Sequence, residues 1–410
     1  MAPQAPLHVR PLIPADMDRF LELDNIAFLE GPVSPEMAAW QLRFLEIDRS
    51  IGLFDQGEQV GGASIFTLQL TVPEARQVPM AAVTWVSVLP THRRRGGLRA
   101  MMRHQLDTLH ETGAEPVAGL CASQAPIYGR FGYGVASSAV TLSVPRQANA
   151  LRLPPGTEEV SLRLVEPSSI TAYRGELYER QLLKRPGMLV KPEWWFGFDV
   201  ADTSEQRDGH SRLRCVLAER GGAPVGFAFY RTDAANCQTR VSQIQADDIA
   251  AYASLWQLLL NIDLVQDTQT VYMGLPLDDP LLLMLEDVRS AKPTIHDKLH
   301  VRLVDLDRAL AARTYSTPID VVFEVTDAFC PWNAGRWRLS GDTTGAACAR
   351  TNAPADLSID VRELGAAYLG GTTLRALQSA ALVAEHTKGA VRATSVAFAS
   401  DVQPWLPVGI

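Results

Sequence analysis

Apolar residues along this chain change their period several times, and each change marks an element. "PADMDRFLELDNIAF" carries them at helical spacing, while "SIGLFD" and "QVGGASIFTLQLTV" read as two strands around a polar turn. The strand "AVTWVSV" follows, then the basic turn "LPTHRRRGG". Leu98, Met101, Met102, Leu106 and Leu109 next form one apolar helical stripe, which Gly113 is placed to end. "PVAGLCA" predicts a further strand, followed by "SQAPIYGRFGYG" and the alternating "AVTLSV". The stretch "RLPPGTEEV" at 152–160 has the proline and glycine of a linker.

Beyond that linker the plan repeats. "SSITAYRGELYERQLLK" predicts a helix, and "RLRCVLAERGGAPVGFAFYRT" a hairpin turning at Gly221–Gly222. "RVSQIQA" reads as a strand, "DIAAYASLWQLLLNID" as an amphipathic helix and "TVYMGLP" as another strand. Hairpin, strand, helix and strand thus occur twice. In the second copy the strand leads to its helix through two aspartates instead of an arginine-glycine turn. After "KPTIHDKLHVRLVDLDRALAAR" come the short strands "DVVFEVTD", "GRWRLSG", "AACART" and "LSIDV". "VRELGAAYLGG" and "TLRALQSAALVAEH" are then expected as helices. The pattern predicts an α/β first domain over 1–150, a second at 151–298 and an α+β third at 299–410.

Composition narrows the class. A chain of 410 residues is too long for one ordinary core. A formal net charge of −8 excludes the general electrostatic grip on nucleic acid, which needs a basic face. Cys121, Cys215, Cys237, Cys330 and Cys348 lie far apart, with no C-x-x-C pair and no histidine at ligand spacing. Reduced thiols are expected, with no metal site. No apolar run approaches the ~18 residues of a membrane span. The opening "MAPQAPLHVRPLIPADM" lacks the charged start and apolar core of a secretory signal, so a cytoplasmic protein is expected.

Against that acidic background, Arg93, Arg94 and Arg95 stand between a strand and a helix, followed by Gly96 and Gly97. A helix start has unpaired N–H groups and the positive end of its dipole. Glycines let a polyanion approach the backbone, and arginines clamp phosphates. The turn therefore suits a pyrophosphate. It lacks both the G-x-x-x-x-G-K-[ST] loop of nucleoside triphosphatases and the G-x-G-x-x-G dinucleotide fingerprint.

Arg93-x-x-Gly96 resembles the R/Q-x-x-G-x-G/A motif of GCN5-related N-acetyltransferases (GNAT), with Leu98 in place of the usual last small residue. The wider strings "VSVLPTHRRRGGLRAMM", "ASQAPIYGRFGYGVAS", "GAAYLGG" and "AFASDV" resemble the enhanced intracellular survival (Eis) acetyltransferases over the whole chain. That resemblance implies a GNAT acetyltransferase domain, a degenerate second GNAT-like domain and a sterol-carrier-protein-like C-terminal domain, assembled as a homohexamer. It implies acetyl-CoA as co-substrate. The implied acceptors are the primary amines of aminoglycoside-like polyamines, with protein lysines as an alternative. A ligand-binding protein with a vestigial acetyltransferase domain is the non-enzymatic alternative.

Carried over residue by residue, the resemblance gives Val86, Ser87 and Val88 to the pantetheine arm. It gives Arg94, Arg95, Gly96, Gly97, Leu98 and Arg99 to the pyrophosphate, and Ser123 and Gln124 to the reacting end. Tyr128 matches the general acid, and the carboxylate of Ile410 the general base. Phe28, Glu30 and Trp40 are the expected acceptor-pocket residues. The tail "DVQPWLPVGI" is stiffened by Pro404 and Pro407 and has apolar anchors in Trp405, Leu406 and Val408. Composition allows it to enter the first domain or to pack on its own; the resemblance favours entry.

Overall fold

The computed structural model describes residues 6–31, 34–271 and 274–410. The chain forms two compact units. The first comprises residues 1–137, 299–401 and Ile410; the second comprises 138–298 and 402–409.

In the first unit, β1 (His8–Pro11) leads to α1 (Met17–Phe28) and α2 (Pro35–Phe44). Three antiparallel strands follow, β2 (Ile51–Asp55), β3 (Glu58–Val72) and β4 (Arg76–Val88). Then come α3 (Gly97–Thr112), β5 (Val117–Cys121) and β6 (Gly134–Val135). The stripe expected for α3 buries Met101, Met102, Leu106 and Leu109, and Gly113 ends the helix in the left-handed conformation at φ 62°.

The chain then builds the second unit. Its elements are β7 (Ser138–Thr141), β8 (Ser143–Pro145), β9 (Ser161–Val165), α4 (Thr171–Leu182), α5 (Glu193–Phe198) and α6 (Ser204–Arg207). They continue through β10 (Arg214–Arg220), β11 (Ala223–Asp233), β12 (Gln238–Ala246), α7 (Ile249–Leu259), β13 (Asp267–Thr270), α8 (Pro280–Met284) and β14 (Thr294–Asp297). Its main sheet runs β8-β13-β12-β11-β10-β9. The series β9 to β13 has the order and pairing of β1 to β5, ending like it in one parallel pair. The repeat seen in the sequence therefore extends back to the first strand and the helices after it, two in the first unit and three in the second.

Back in the first unit lie β15 (Leu299–Leu303), α9 (Leu306–Ala312), β16 (Ile319–Thr326), β17 (Gly335–Gly341), β18 (Ala346–Arg350) and β19 (Leu357–Asp360). The chain closes with α10 (Val361–Ala367), α11 (Leu374–Ser379), β20 (Val383–Glu385) and α12 (Ala390–Phe398). Strands β16 to β20 form a five-stranded sheet in the order β18-β17-β16-β19-β20.

Four expectations are corrected. Strand β15 does not open the third domain: all five of its residues are buried, and it pairs antiparallel with β5 to complete the sheet β1-β2-β3-β4-β5-β15-β6. The first boundary falls after Ser137, because β8 pairs with β13 in the second unit's sheet; the expected 152–160 linker lies inside that unit, with Thr157 buried. The strand expected at "TVYMGLP" ends earlier as β13, and Tyr272 and Met273 lie outside the described residues. The last predicted helix breaks at Ala381, whose φ is 59°, so Val383 can pair with β19.

Candidate active site

The site grows from a defect in the first sheet. Strands β4 and β5 pair in parallel over only three positions, Met80–Ala82 against Val117–Gly119. On its other edge β4 carries a bulge, with a register shift between Gly62 and Ser64 opposite it and Trp85 at φ 48°. A bulge adds twist and re-aims the strand, so the last turn of β4 parts from β5. Ligands of α/β sheets bind at such openings beyond the carboxyl ends of parallel strands.

Residues Val86, Ser87 and Val88 line β4 at this opening. Val86 and Val88 pack toward Leu98 and Met101 of α3. The side chain of Ser87 therefore lies on the opposite face, where its buried Oγ has no hydrogen-bond partner among the described residues. On that face Trp85 makes edge contacts with Phe20 of α1, at 6.1 Å between ring centroids, and with Phe66 at 5.5 Å.

The arginine-glycine turn divides its labour. Arg93 braces the backbone, its Nε donating to the Val88 carbonyl at 3.2 Å and its Nη2 to that of Ala27 at 3.3 Å. Arg95 pairs with Asp55 at 2.7 Å and holds that carboxyl below its usual range; His92 approaches the same oxygen at 3.3 Å. Arg94, at φ 64°, is exposed and has neither an ion pair nor a hydrogen bond among the described residues. Arg99 lies over the Phe329 ring at 5.1 Å.

Helix α3 begins at Gly96, φ 86°, with no side chain capping its N-terminus. Its first hydrogen bond is Ala100 N–H to the Gly96 carbonyl, which leaves the N–H groups of Gly97, Leu98 and Arg99 without a helical acceptor. A Cβ at Gly96 would meet nothing within 4 Å, so this end of the helix is open. Gly97 serves a different purpose: a Cβ there would collide with Leu53, so it allows α3 to lie close on the sheet. A glycine needed for left-handed backbone and a glycine needed for packing look alike in the sequence.

Ser123 and Gln124 are exposed just beyond β5, where Gln124 precedes a short 3-10 turn at Ala125–Ile127. Tyr128 follows, buried in a cluster with Met102, Leu106, Phe131 and Tyr133, against which Val86 and Leu98 also pack. Its ring meets Tyr133 edge-on at 6.0 Å. Burial pushes the Tyr128 hydroxyl up to about 12, so it holds its proton at neutral pH. Tyr133 is deeper, and its hydroxyl is buried without a partner among the described residues.

Of the three acceptor-pocket residues, Phe28 and Glu30 are exposed at the end of α1, and Trp40 is half-buried on α2, tilted against Phe44 at 5.5 Å. One residue escaped the sequence reading. Asp24 lies one turn from Phe20 on α1 and is only 8% exposed, with no partner for Oδ1 among the described residues. Burial, and then the nearby Glu30, push its carboxyl up to about 7. A charged residue on the apolar stripe of "FLELDNIAF" was the available signal.

The tail docks by its backbone. Trp405 N–H donates to the Pro186 carbonyl at 2.9 Å, and Gln403 N–H to Asp278 at 2.9 Å. A Cβ on Gly187 would come within 2.8 Å of the Trp405 carbonyl oxygen. Residues 402–409 thus belong to the second unit, whereas Ile410 groups with the first.

A parted parallel strand pair beside an uncapped, glycine-started helix defines the N-acetyltransferase fold of the GNAT class. Residues 8–136 and 187–303 each match a GNAT acetyltransferase domain, and 306–407 match a sterol carrier protein domain. The chain is 45% identical to an N-acetyltransferase of Streptomyces avermitilis over 92% of both chains. It is 33% identical to the N-acetyltransferase Eis of Mycobacterium tuberculosis, over 90% of this chain and 91% of that one. The crystal structure of Eis1 from Mycobacterium abscessus superposes with a TM-score of 0.81 at 35% identity, covering 98% of this chain and all of that one. The chain belongs to the Eis family of N-acetyltransferases.

Proposed function

We propose that this enzyme moves an acetyl group from acetyl-CoA to primary amines of aminoglycoside-like polyamines, at more than one position. The observation that carries the cofactor assignment is the uncapped start of α3 beside the gap between β4 and β5. The exposed guanidinium of Arg94 and the free N–H groups at Gly97–Arg99 supply donors for a pyrophosphate. Arg95 takes a supporting part in this reading, because Asp55 already holds it. The backbone of Val86–Val88 receives the pantetheine arm, while Ser123 and Gln124 flank the reacting end.

Bound acetyl-CoA supplies the acyl group as an activated thioester. An ammonium cannot attack it, so a base must first remove a proton. We assign this step to the Ile410 carboxylate, supported by the family likeness. Tyr128 keeps its proton to about 12 and is suited to protonate the departing thiolate. Asp24 offers a second reading of the base, favoured by its burial and its orphan oxygen.

The net charge of −8 suits a polycationic acceptor. The test is CoA release with aminoglycosides, simple polyamines and lysine peptides, with product mass counting the acetyl groups. Turnover of lysine peptides alone transfers the assignment to protein acetylation. A homohexamer is proposed on the family likeness, and light scattering on the purified chain tests it.

A further inference from the structure

The second unit has the same gap as the first. Strand β12 pairs in parallel with β13 over Gln238–Val241 against Asp267–Thr270, then runs on to Ala246 without that neighbour. A small pocket opens there. Ser242–Gln245 line one side, Arg174 and Tyr178 of α4 with Lys191 another, and Trp405 of the tail closes it.

Its charges do not balance. The side chains of Arg174 and Lys191 are 2% and 4% exposed, and Asp199 is the carboxylate they share. One oxygen, Asp199 Oδ2, receives Lys191 Nζ at 3.2 Å, Gln243 Nε2 at 3.2 Å and Arg174 Nη2 at 3.6 Å. Arg174 Nη2 also donates to the Phe196 carbonyl at 2.6 Å. Among the described residues, Arg174 Nε and Nη1 and the indole N–H of Trp405 are buried with no acceptor. The neighbouring Cys215 thiol is pushed up to about 12 by burial and stays neutral.

Around the cations stand aromatic faces. Lys191 Nζ lies 4.8 Å from the Tyr178 centroid and 5.3 Å from that of Phe196, and Arg174 Cζ lies 5.0 Å from that of Phe229. Such faces favour a cation without neutralising it. Burial works against both charges, lowering the proton affinity of Arg174 and Lys191. With both bases protonated, two cations, one carboxylate and three donors unanswered among the described residues call for a group that accepts hydrogen bonds, donates none and carries one negative charge.

We propose that this pocket binds a small carboxylate, seated between Arg174, Lys191 and the indole of Trp405. The second unit is then a ligand-binding module built on the acetyltransferase plan, and its ligand bears on the segment that ends the chain.

The test is calorimetric titration of the full chain with sodium acetate at constant ionic strength. A single saturable event is expected, about tenfold weaker in Lys191→Met and about tenfold tighter in Asp199→Asn, which removes the competing carboxylate. No saturable heat in the unaltered protein overturns the proposal. So does a dissociation constant that is the same in all three proteins. Should a variant fail to fold, bromide diffused into crystals of the unaltered chain decides. An anomalous peak within hydrogen-bond reach of Arg174 Nε or Nη1 and Trp405 Nε1 supports the site, and its absence overturns it.

Discussion

The two GNAT-like units share a strand order and differ at two places, the start of one helix and the face of another. In the first unit α3 starts at a glycine, with no side chain on its N-terminus. In the second, α7 is capped by Asp248, whose carboxylate accepts from Ala251 N–H at 2.9 Å and pairs with Arg220 at 2.6 Å. The dipole that would attract a phosphate is answered by the chain's own acid. The helix before the hairpin differs in the opposite sense. Helix α1 buries Asp24, and α4 buries Arg174. An acidic face suits an amine, and a cationic face suits an anion. On the two proposals made above, one scaffold would serve two ligand chemistries through a handful of residues, while its strand order stays fixed.

The widest separation between the units is expected from the chain end. A C-terminal extension, or deletion of Gly409 and Ile410, should bring acetyl transfer below detection while calorimetry still registers acetyl-CoA; an N-terminal tag should change little. Full turnover in the extended protein would assign the base to Asp24. Next in size is Tyr128→Phe, which keeps the ring and removes only the proton. Its kcat should fall by roughly 10²–10⁴ with acetyl-CoA affinity preserved, and steady-state kinetics measures both. Should the rate be unaffected, the acid role passes to Tyr133.

Asp24→Asn examines the buried acid through stability. The folded-state value of about 7 lies above the ordinary aspartate value of 3.8, so the native state binds the extra proton between them. Stability at this site is therefore fully present below about pH 4 and lost as pH rises through about 7. At one pKa unit per 1.36 kcal/mol, the variant should gain up to roughly 4 kcal/mol over the parent at pH 8 and nothing near pH 4. Parallel urea unfolding curves at the two pH values would expose an acid that is not perturbed.

Smaller effects belong to the helix starts. Gly96→Val puts a β-branched residue at φ 86°, a strain of roughly 1–3 kcal/mol, and crowds the free N–H groups. Acetyl-CoA should bind at least about tenfold more weakly while the fold survives. Asp248→Ala removes a cap and the ion pair with Arg220, so roughly 1–2 kcal/mol of stability should be lost with acetyl-CoA affinity unchanged. If that substitution weakened acetyl-CoA binding, the second unit would not be the non-catalytic copy.

Much of the candidate site was legible because its chemistry is local. Arg93 to Gly97 are consecutive, and the apolar stripe from Leu98 to Leu109 announces the helix that follows. Periodicity likewise located α3, the strands β2 and β3 around their turn, the end of β4 and the repeated order in the second unit, since one element's burial pattern is written in its own residues. Tertiary structure decided what depends on partners far along the chain. Strand β15 looks like the opening of a new domain, yet its hydrogen bonds are supplied by β5, about 180 residues earlier. The arginines are equivalent in sequence, but Asp55 and the carbonyls of Val88 and Ala27 engage two of them and leave Arg94 exposed. Asp24 and Arg174 read as ordinary charges until burial removes water from around them. Desolvation and pairing are properties of a residue's surroundings, and only the folded chain assembles those surroundings.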